Sequence, residues 1–155
     1  KLEGPRLLNE RYIFVYMLRP DDKVIKIARA IAQKKNCRII FTGQFADKFK
    51  GVQTICDAGV EDFLSYIDNA EAVITNSFHG TAFSILFEKP FVSVKVSSTG
   101  SRAANLLNML GLESQLVDSY RTDYSLDIDY SSVNTILEKA REHSFSYLKA
   151  ICQSK

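Results

Sequence analysis

The chain is poor in the residues that would announce a metal centre or a disulfide scaffold. It has three cysteines in 155 residues, Cys37, Cys56 and Cys152, far apart and without a C-x-x-C pair. Its two histidines, His79 and His143, are just as isolated. A structural zinc site is therefore not expected. Cys37 and Cys56 flank apolar runs and are expected as buried free thiols. Free thiols suit a reducing compartment, so a cytoplasmic location is expected. Charge of one sign is also lacking: 20 Lys+Arg face 18 Asp+Glu, a net +2. That balance gives no reason to expect nucleic acid or an anionic membrane as partner. No apolar run approaches a membrane span, and there is no signal-peptide pattern. Internal repeats and low-complexity segments are missing too.

Several motifs of known mechanics are absent. There is no G-x-x-x-x-G-K-[ST] phosphate loop, no G-x-G-x-x-G after the first strand and no G-x-S-x-G elbow. What remains is an ordinary globular composition, 46% hydrophobic and 25% charged, in a chain long enough to bury one real core. The chain begins at Lys1 rather than Met, which raises the expectation that it was cut from something longer.

Residues 1–10 are polar, contain Gly4 and Pro5, and read as a linker or tail; residues 11–155 read as one domain. Tyr12 to Met17 is a continuous aromatic and β-branched run, as for a strand buried on both faces. Arg19-Pro20-Asp21-Asp22 breaks it and starts a helix, with Asp21 as N-cap. Val24, Ile27, Ala28, Ile31 and Ala32 make that helix's apolar face, and Lys34 and Lys35 complement its C-terminal dipole. Strands are then expected at Cys37–Phe41, Val52–Cys56, Ala72–Thr75 and Pro90–Val94, with a short sixth at Leu116-Val117. Helices are expected at Gly59–Ile67, at His79–Phe87, after a Ser101 cap until Gly111, and from Ser131 or Ser132 to Ile151. Residues 118–130 read as irregular, acidic and tyrosine-bearing.

Strands alternating with helices call for a Rossmann-like, doubly wound α/β domain with a parallel sheet of five to six strands. The default order 3-2-1-4-5 makes the first and fourth strands neighbours at the switch point, where such folds bind ligands. The turns Leu18-Arg19-Pro20 and Asn76–Gly80 should then face each other.

The turn Asn76-Ser77-Phe78-His79-Gly80-Thr81 joins an apolar strand to an apolar helix. A helix start offers unpaired N–H groups and a positive dipole end, so a phosphate or carboxylate suits it. Gly80 permits close approach of a ligand or a neighbouring backbone. Ser77 and Thr81 bring hydroxyls, and His79 can shuttle a proton near neutral pH. The plain alternative is that Ser77 caps the helix and His79 is a satisfied polar residue. A second strand-to-helix loop, Ser97-Ser98-Thr99-Gly100-Ser101-Arg102, also suits an anion, or is simply a capped polar surface loop. Arg19 follows the first strand at the switch point, where it either meets a ligand or is merely solvated. His143, within a charged helical stretch, reads as surface.

The stretch Asn69 to Phe91, centred on Asn76-Ser77-Phe78-His79-Gly80-Thr81, resembles the signature region of the polysaccharide pyruvyl transferase family. Arg102 to Leu112, an arginine before a leucine-rich helix ending in Gly-Leu, is similar in order and distance, as is the strand Tyr12–Leu18. The resemblance covers most of residues 10–112. It implies a two-domain architecture like that of B-type glycosyltransferases, of which this chain would be the C-terminal half. The N-terminal half would be its partner, and the last helix, 131–151, resembles one that packs back across the cleft. It also implies transfer of pyruvate from phosphoenolpyruvate, or another small anionic donor, to hydroxyls of a sugar acceptor, with no cofactor and no metal. On this reading His79 is the acid, Arg102 steers phosphate or carboxylate, and Ser77, Phe78, Gly80, Thr81 and Arg19 belong to the donor site. One departure stands out: some members carry an arginine two residues before the histidine, where this chain has Ser77, which bears on donor identity. The other expectations are a half domain of a nucleotide-sugar-dependent glycosyltransferase, or a non-catalytic anion- or sugar-binding domain.

Overall fold

The computed structural model describes residues 7–43, 49–96, 101–121 and 123–153, with the side chain of Ser101 left aside. Six strands form one sheet: β1 (Tyr12–Tyr16), β2 (Arg38–Thr42), β3 (Gln53–Ile55), β4 (Ala72–Thr75), β5 (Phe91–Val94) and β6 (Leu116–Val117). Five helices connect and follow them: α1 (Asp22–Lys35), α2 (Val60–Asp68), α3 (Phe78–Leu86), α4 (Ser101–Met109) and α5 (Tyr130–Gln153). The strand order is β3-β2-β1-β4-β5-β6 and every pairing is parallel. This is the expected doubly wound sheet, with the sixth strand added at the β5 edge.

Central strand β1 is buried on both faces, which its unbroken apolar run encodes. Ile13, Val15 and Met17 point to the side covered by α1, through Val24, Ile27, Ala28 and Ile31. Tyr12 and Phe14 point to the opposite side, where Tyr66 and Ile67 of α2, Ile85 of α3, Leu107 of α4 and Val133 of α5 meet them. The chain turns from one face to the other between β1 and β4, whose register pairs Val15 with Ile74 and Tyr16 with Thr75. A parallel sheet places all its strand C-termini on one edge, so the turns after β1, β4 and β5 gather at that switch point.

The ends of the elements follow local chemistry. Asp21 caps α1, its carboxylate accepting from Lys23 N at 2.9 Å. The helix stops at Asn36, which takes the left-handed conformation at φ 50°. Gly111, at φ +69°, ends α4, and Leu112 N donates to Leu107 O at 2.8 Å.

Several boundaries differ from the sequence expectation. Strand β2 is shifted by one residue to Arg38–Thr42, and β5 begins at Phe91 after Pro90. Helix α5 starts at Tyr130, before the two serines, because Asp129 is its cap: that carboxylate accepts from Ser131 N at 3.1 Å and from the Ser132 hydroxyl. The thiols also differ. Cys37 is half-buried, but Cys56 and Cys152 are exposed, since Cys56 falls past the end of β3 and Cys152 lies on the unpacked end of α5. The anion loop expected at Ser97–Gly100 lies outside the described residues, as does the capping side chain of Ser101.

Candidate functional site

The turn after β4 is tied to the turn after β1 by the side chain of Asn76. Its amide oxygen accepts from Leu18 N at 3.2 Å and its amide nitrogen donates to Arg19 O at 3.0 Å. The expected juxtaposition of these two turns is therefore fixed by one residue bonding both edges of the facing backbone. Thr75 adds a second tie. Its hydroxyl donates to Tyr16 O at 2.6 Å and accepts from Ser77 N at 3.0 Å.

Ser77 stands at the N-cap of α3 in extended conformation yet makes no side-chain cap bond. Its side chain is 1% exposed, and its Oγ has no partner among the described residues. The plain capping role is thus not the one Ser77 performs. The amides of Phe78, His79 and Gly80, in the first turn, have no intrahelical carbonyl to meet. The helix start faces the strand C-terminal edge with these donors uncapped, and its dipole adds positive potential there.

Each residue expected at the site has a definite place. His79 is exposed, its ring set edge-on to Phe78 with centroids 5.8 Å apart. Phe78 is half-buried, and the guanidinium carbon of Arg102, from the first turn of α4, lies 5.1 Å from its ring centroid on the ring face. This cation–π contact aims the exposed Arg102 across the same corner as the α3 start. Gly80 is buried against Thr75: a Cβ there would come 2.9 Å from the threonine Cβ. The close approach it permits is by a strand side chain, not by a ligand. Thr81 is fully buried, its hydroxyl donating to Ser77 O at 3.1 Å and lying 2.9 Å from the Ser93 hydroxyl. It holds the turn together and offers no open surface. Arg19 is exposed; its backbone carbonyl binds Asn76, while its guanidinium has no partner among the described residues.

Phe78 and Arg102 share a narrow cleft with Leu18, Asn76, Ser93 and Lys95, about 70 Å³ in volume. That is the share of roughly two water molecules in the liquid, enough for one phosphate or carboxylate group. His79 stands beside Phe78, outside the cleft walls. Lys95 and Ser93 of the wall were not among the residues expected at the site, and Asn76 was expected only as part of the turn. Lys95 carries a sequence signal, a cation immediately after β5 at the switch point, and with Arg102 it gives the cleft two positive side chains. Among the described residues no group of three His, Cys, Asp or Glu side chains could hold a metal ion, and no helix is long and apolar enough to cross a membrane.

Comparison with known proteins agrees with this fold. The family model for polysaccharide pyruvyl transferase matches residues 2–98, more than half of the chain. Among solved structures, UDP-GlcNAc 2-epimerase from Methanocaldococcus jannaschii is similar with a TM-score of 0.53 and 14% identity, over 86% of this chain and 39% of that one. UDP-N-acetylglucosamine 2-epimerase from Rickettsia bellii gives a TM-score of 0.53 and 11% identity, over 93% of this chain and 47% of that one. The chain thus spans less than half the length of either structure, and at these identities the likeness is one of fold. No curated protein matches the chain.

Proposed function

The chain belongs to the polysaccharide pyruvyl transferase family, and on that premise we propose that it is the C-terminal half of an enzyme moving pyruvate from phosphoenolpyruvate onto hydroxyls of a sugar, in cytoplasmic polysaccharide biosynthesis. The observation that carries this reading is the uncapped start of α3, with Phe78–Gly80 amides free and an exposed imidazole at its second residue. Such a helix end binds an anion without further machinery.

The chemistry needs few groups. Protonation of the donor's methylene carbon makes its central carbon electrophilic. One sugar hydroxyl adds there, phosphate leaves, and the second hydroxyl closes the ketal. The hydroxyls give up two protons; one ends on the new methyl group and one leaves with phosphate. His79, solvent-accessible and beside the anion site, is suited to hand one of them over. Arg102, held on the Phe78 face, and Lys95 suit the donor's carboxylate or phosphate. Ser77 takes the place where some members carry an arginine, and Arg102 and Lys95 supply positive charge in its stead. Thr81 and Gly80 serve by holding the turn. Arg19 is suited to the donor from the facing β1 turn.

The N-terminal half is the expected partner. Its support is the far end of α5, where Phe145, Tyr147, Leu148 and Ile151 are exposed.

The test is made on the full-length enzyme. His79→Ala should remove turnover while phosphoenolpyruvate still binds, and Arg102→Lys should weaken donor binding roughly tenfold, because the forked charge-assisted bonds are lost while the charge stays. Unchanged turnover in the histidine variant would rule the acid role out. Thermal stabilisation by UDP and not by phosphoenolpyruvate would favour a nucleotide-sugar donor instead.

A further inference from the structure

Helix α3 ends in a turn that suits glycine but holds glutamate. Glu88 N donates to Ile85 O at 3.1 Å and Lys89 N donates to Ser84 O at 2.8 Å. These are the two crossed bonds that close a helix through one left-handed residue. That residue is Glu88, at φ 54°. Glycine takes this conformation without steric cost, whereas a side chain there is disfavoured. A residue held against its backbone preference calls for a compensating contact.

Helix α5 supplies that contact. Asn134 Nδ2 donates to Glu88 Oε1 at 3.0 Å. Four residues earlier, on the same face of the helix, the Tyr130 hydroxyl donates to Lys89 O at 2.5 Å. Both bonds end on the α3 turn. Burial, with the Glu88 carboxylate adding to it, pushes the Tyr130 phenol well above its ordinary 10, so it stays a neutral donor. Val133, between the two in sequence, is buried in the core.

From residue 141 to 153 the helix is exposed, so its direction is set at its base. A long lever makes that base consequential. Helix α5 has 24 residues. At the α-helical rise, a tilt of about 10° at Tyr130 carries Ile151 through about 5 Å. Apolar contacts lose much of their attraction over a gap of about 1 Å.

We propose that the α3–β5 turn is a socket that sets the direction of α5, with Glu88, Tyr130 and Asn134 as positioning residues. The exposed apolar residues Phe145, Tyr147, Leu148 and Ile151 are then presented to their partner in one orientation. The socket stands on the hydrogen bonds above; its use in joining the halves of the enzyme rests on the reading that the N-terminal half is that partner. The socket lies at the opposite end of α3 from the candidate anion site, so one nine-residue helix links the two.

Spin labels on Cys56 and on Ser144→Cys, both exposed positions, report the distance from the sheet to the arm in the Cys37→Ser, Cys152→Ser background. This parent should give one narrow distance. Tyr130→Phe keeps the packed ring and loses the hydroxyl, and Glu88→Gly loses the carboxylate. Each should broaden the distribution, and the double variant should widen it roughly twofold as the lever amplifies small tilts. Glu88→Gln keeps an acceptor for Asn134 and should retain the parent width. Glu88→Gly should at the same time hold or raise the thermal midpoint, because glycine relieves the left-handed backbone. A parent-like width in the double variant overturns the proposal. So does a lowered midpoint in Glu88→Gly with its width unchanged, which would make the carboxylate a plain stabiliser. In the full-length enzyme the double variant should speed proteolytic separation of the halves about threefold. If the distances broaden while that separation is unchanged, the partner assignment is lost and the socket stands.

Discussion

Gly80 lies so close to Thr75 that any side chain on its α-carbon would collide with the threonine hydroxyl and methyl groups. The contact is consequential because that same hydroxyl bonds both Tyr16 O and Ser77 N. Gly80→Ala must therefore displace either α3 or the bond that orders the site. A destabilisation of about 1–3 kcal/mol is expected from overpacking at a buried contact, read as a lower midpoint in chemical denaturation. Truncating the threonine in the same chain, Gly80→Ala with Thr75→Ala, should cost less than the sum of the two single changes, because the residues touch. Strict additivity would show that the helix moves freely and the close packing is not a constraint.

Asn76 carries the geometry of the switch point in two hydrogen bonds. Asn76→Ala leaves Leu18 N and Arg19 O without their partner, and water can reach both at this half-exposed turn. The loss should be about 1–2 kcal/mol. Its local signature is faster hydrogen exchange at the Leu18 amide, with exchange in β1 itself unchanged. A Leu18 amide protected as in the parent chain would mean that other contacts hold the two turns together.

The fold was legible where one periodicity or one cap decided it. Tyr12–Tyr16 has no polar position, so a central strand was the only comfortable assignment. The spacing of Val24, Ile27, Ala28 and Ile31 fixes one helix face, and β–α alternation then fixes the sheet. The start of α5 was misread because Asp129 and the serines after it are all good caps, and only the structure shows that the carboxylate acts for both serines. The site was legible as a place and less so as a set of side chains. Sequence puts Ser77 at a helix start, but whether its hydroxyl turns to the helix amides depends on β4 packing. Thr81 reads as polar and therefore available; in three dimensions its hydroxyl is taken up by Ser77 O and by Ser93 of the neighbouring strand β5. Lys95 and Arg102 are seven residues apart in the sequence, so no local pattern could announce that they share a cleft wall.

Far from the site, Arg11 and Glu71 join the entry ends of β1 and β4 by paired bonds of 2.8 and 3.1 Å. The hydrogen bond from Arg11, reinforced by its charge, holds the Glu71 carboxyl below its ordinary 4.5 despite partial burial, which acts the other way. A carboxyl depressed in the folded state stabilises above its unfolded value, and that stability is lost as pH falls through the folded one. Glu71→Gln should thus lower the denaturation midpoint slightly at neutral pH, the pair being partly exposed. The two stability curves should converge in acid below 4.5. A constant gap down to low pH would assign the effect to packing of the side chain instead of its charge.

The last helix divides into a part that folds the domain and a part that does not. Val133 is 2% exposed and packs with Ile136 and Leu137 against the α2–α4 face. Residues 141–153 are exposed throughout, including Phe145, Tyr147, Leu148 and Ile151. Side chains that stay this exposed add little to folding of this unit, and an exposed apolar strip of this kind marks an interaction surface. Ending the chain after Glu142 should leave its thermal midpoint unchanged while raising its solubility. The same truncation in the full-length enzyme should lower stability or separate its halves in limited proteolysis, if the N-terminal half is what the strip covers. A full-length protein that tolerates the cut as easily as the isolated chain would remove that partner assignment, and would leave the strip as a contact for some other surface.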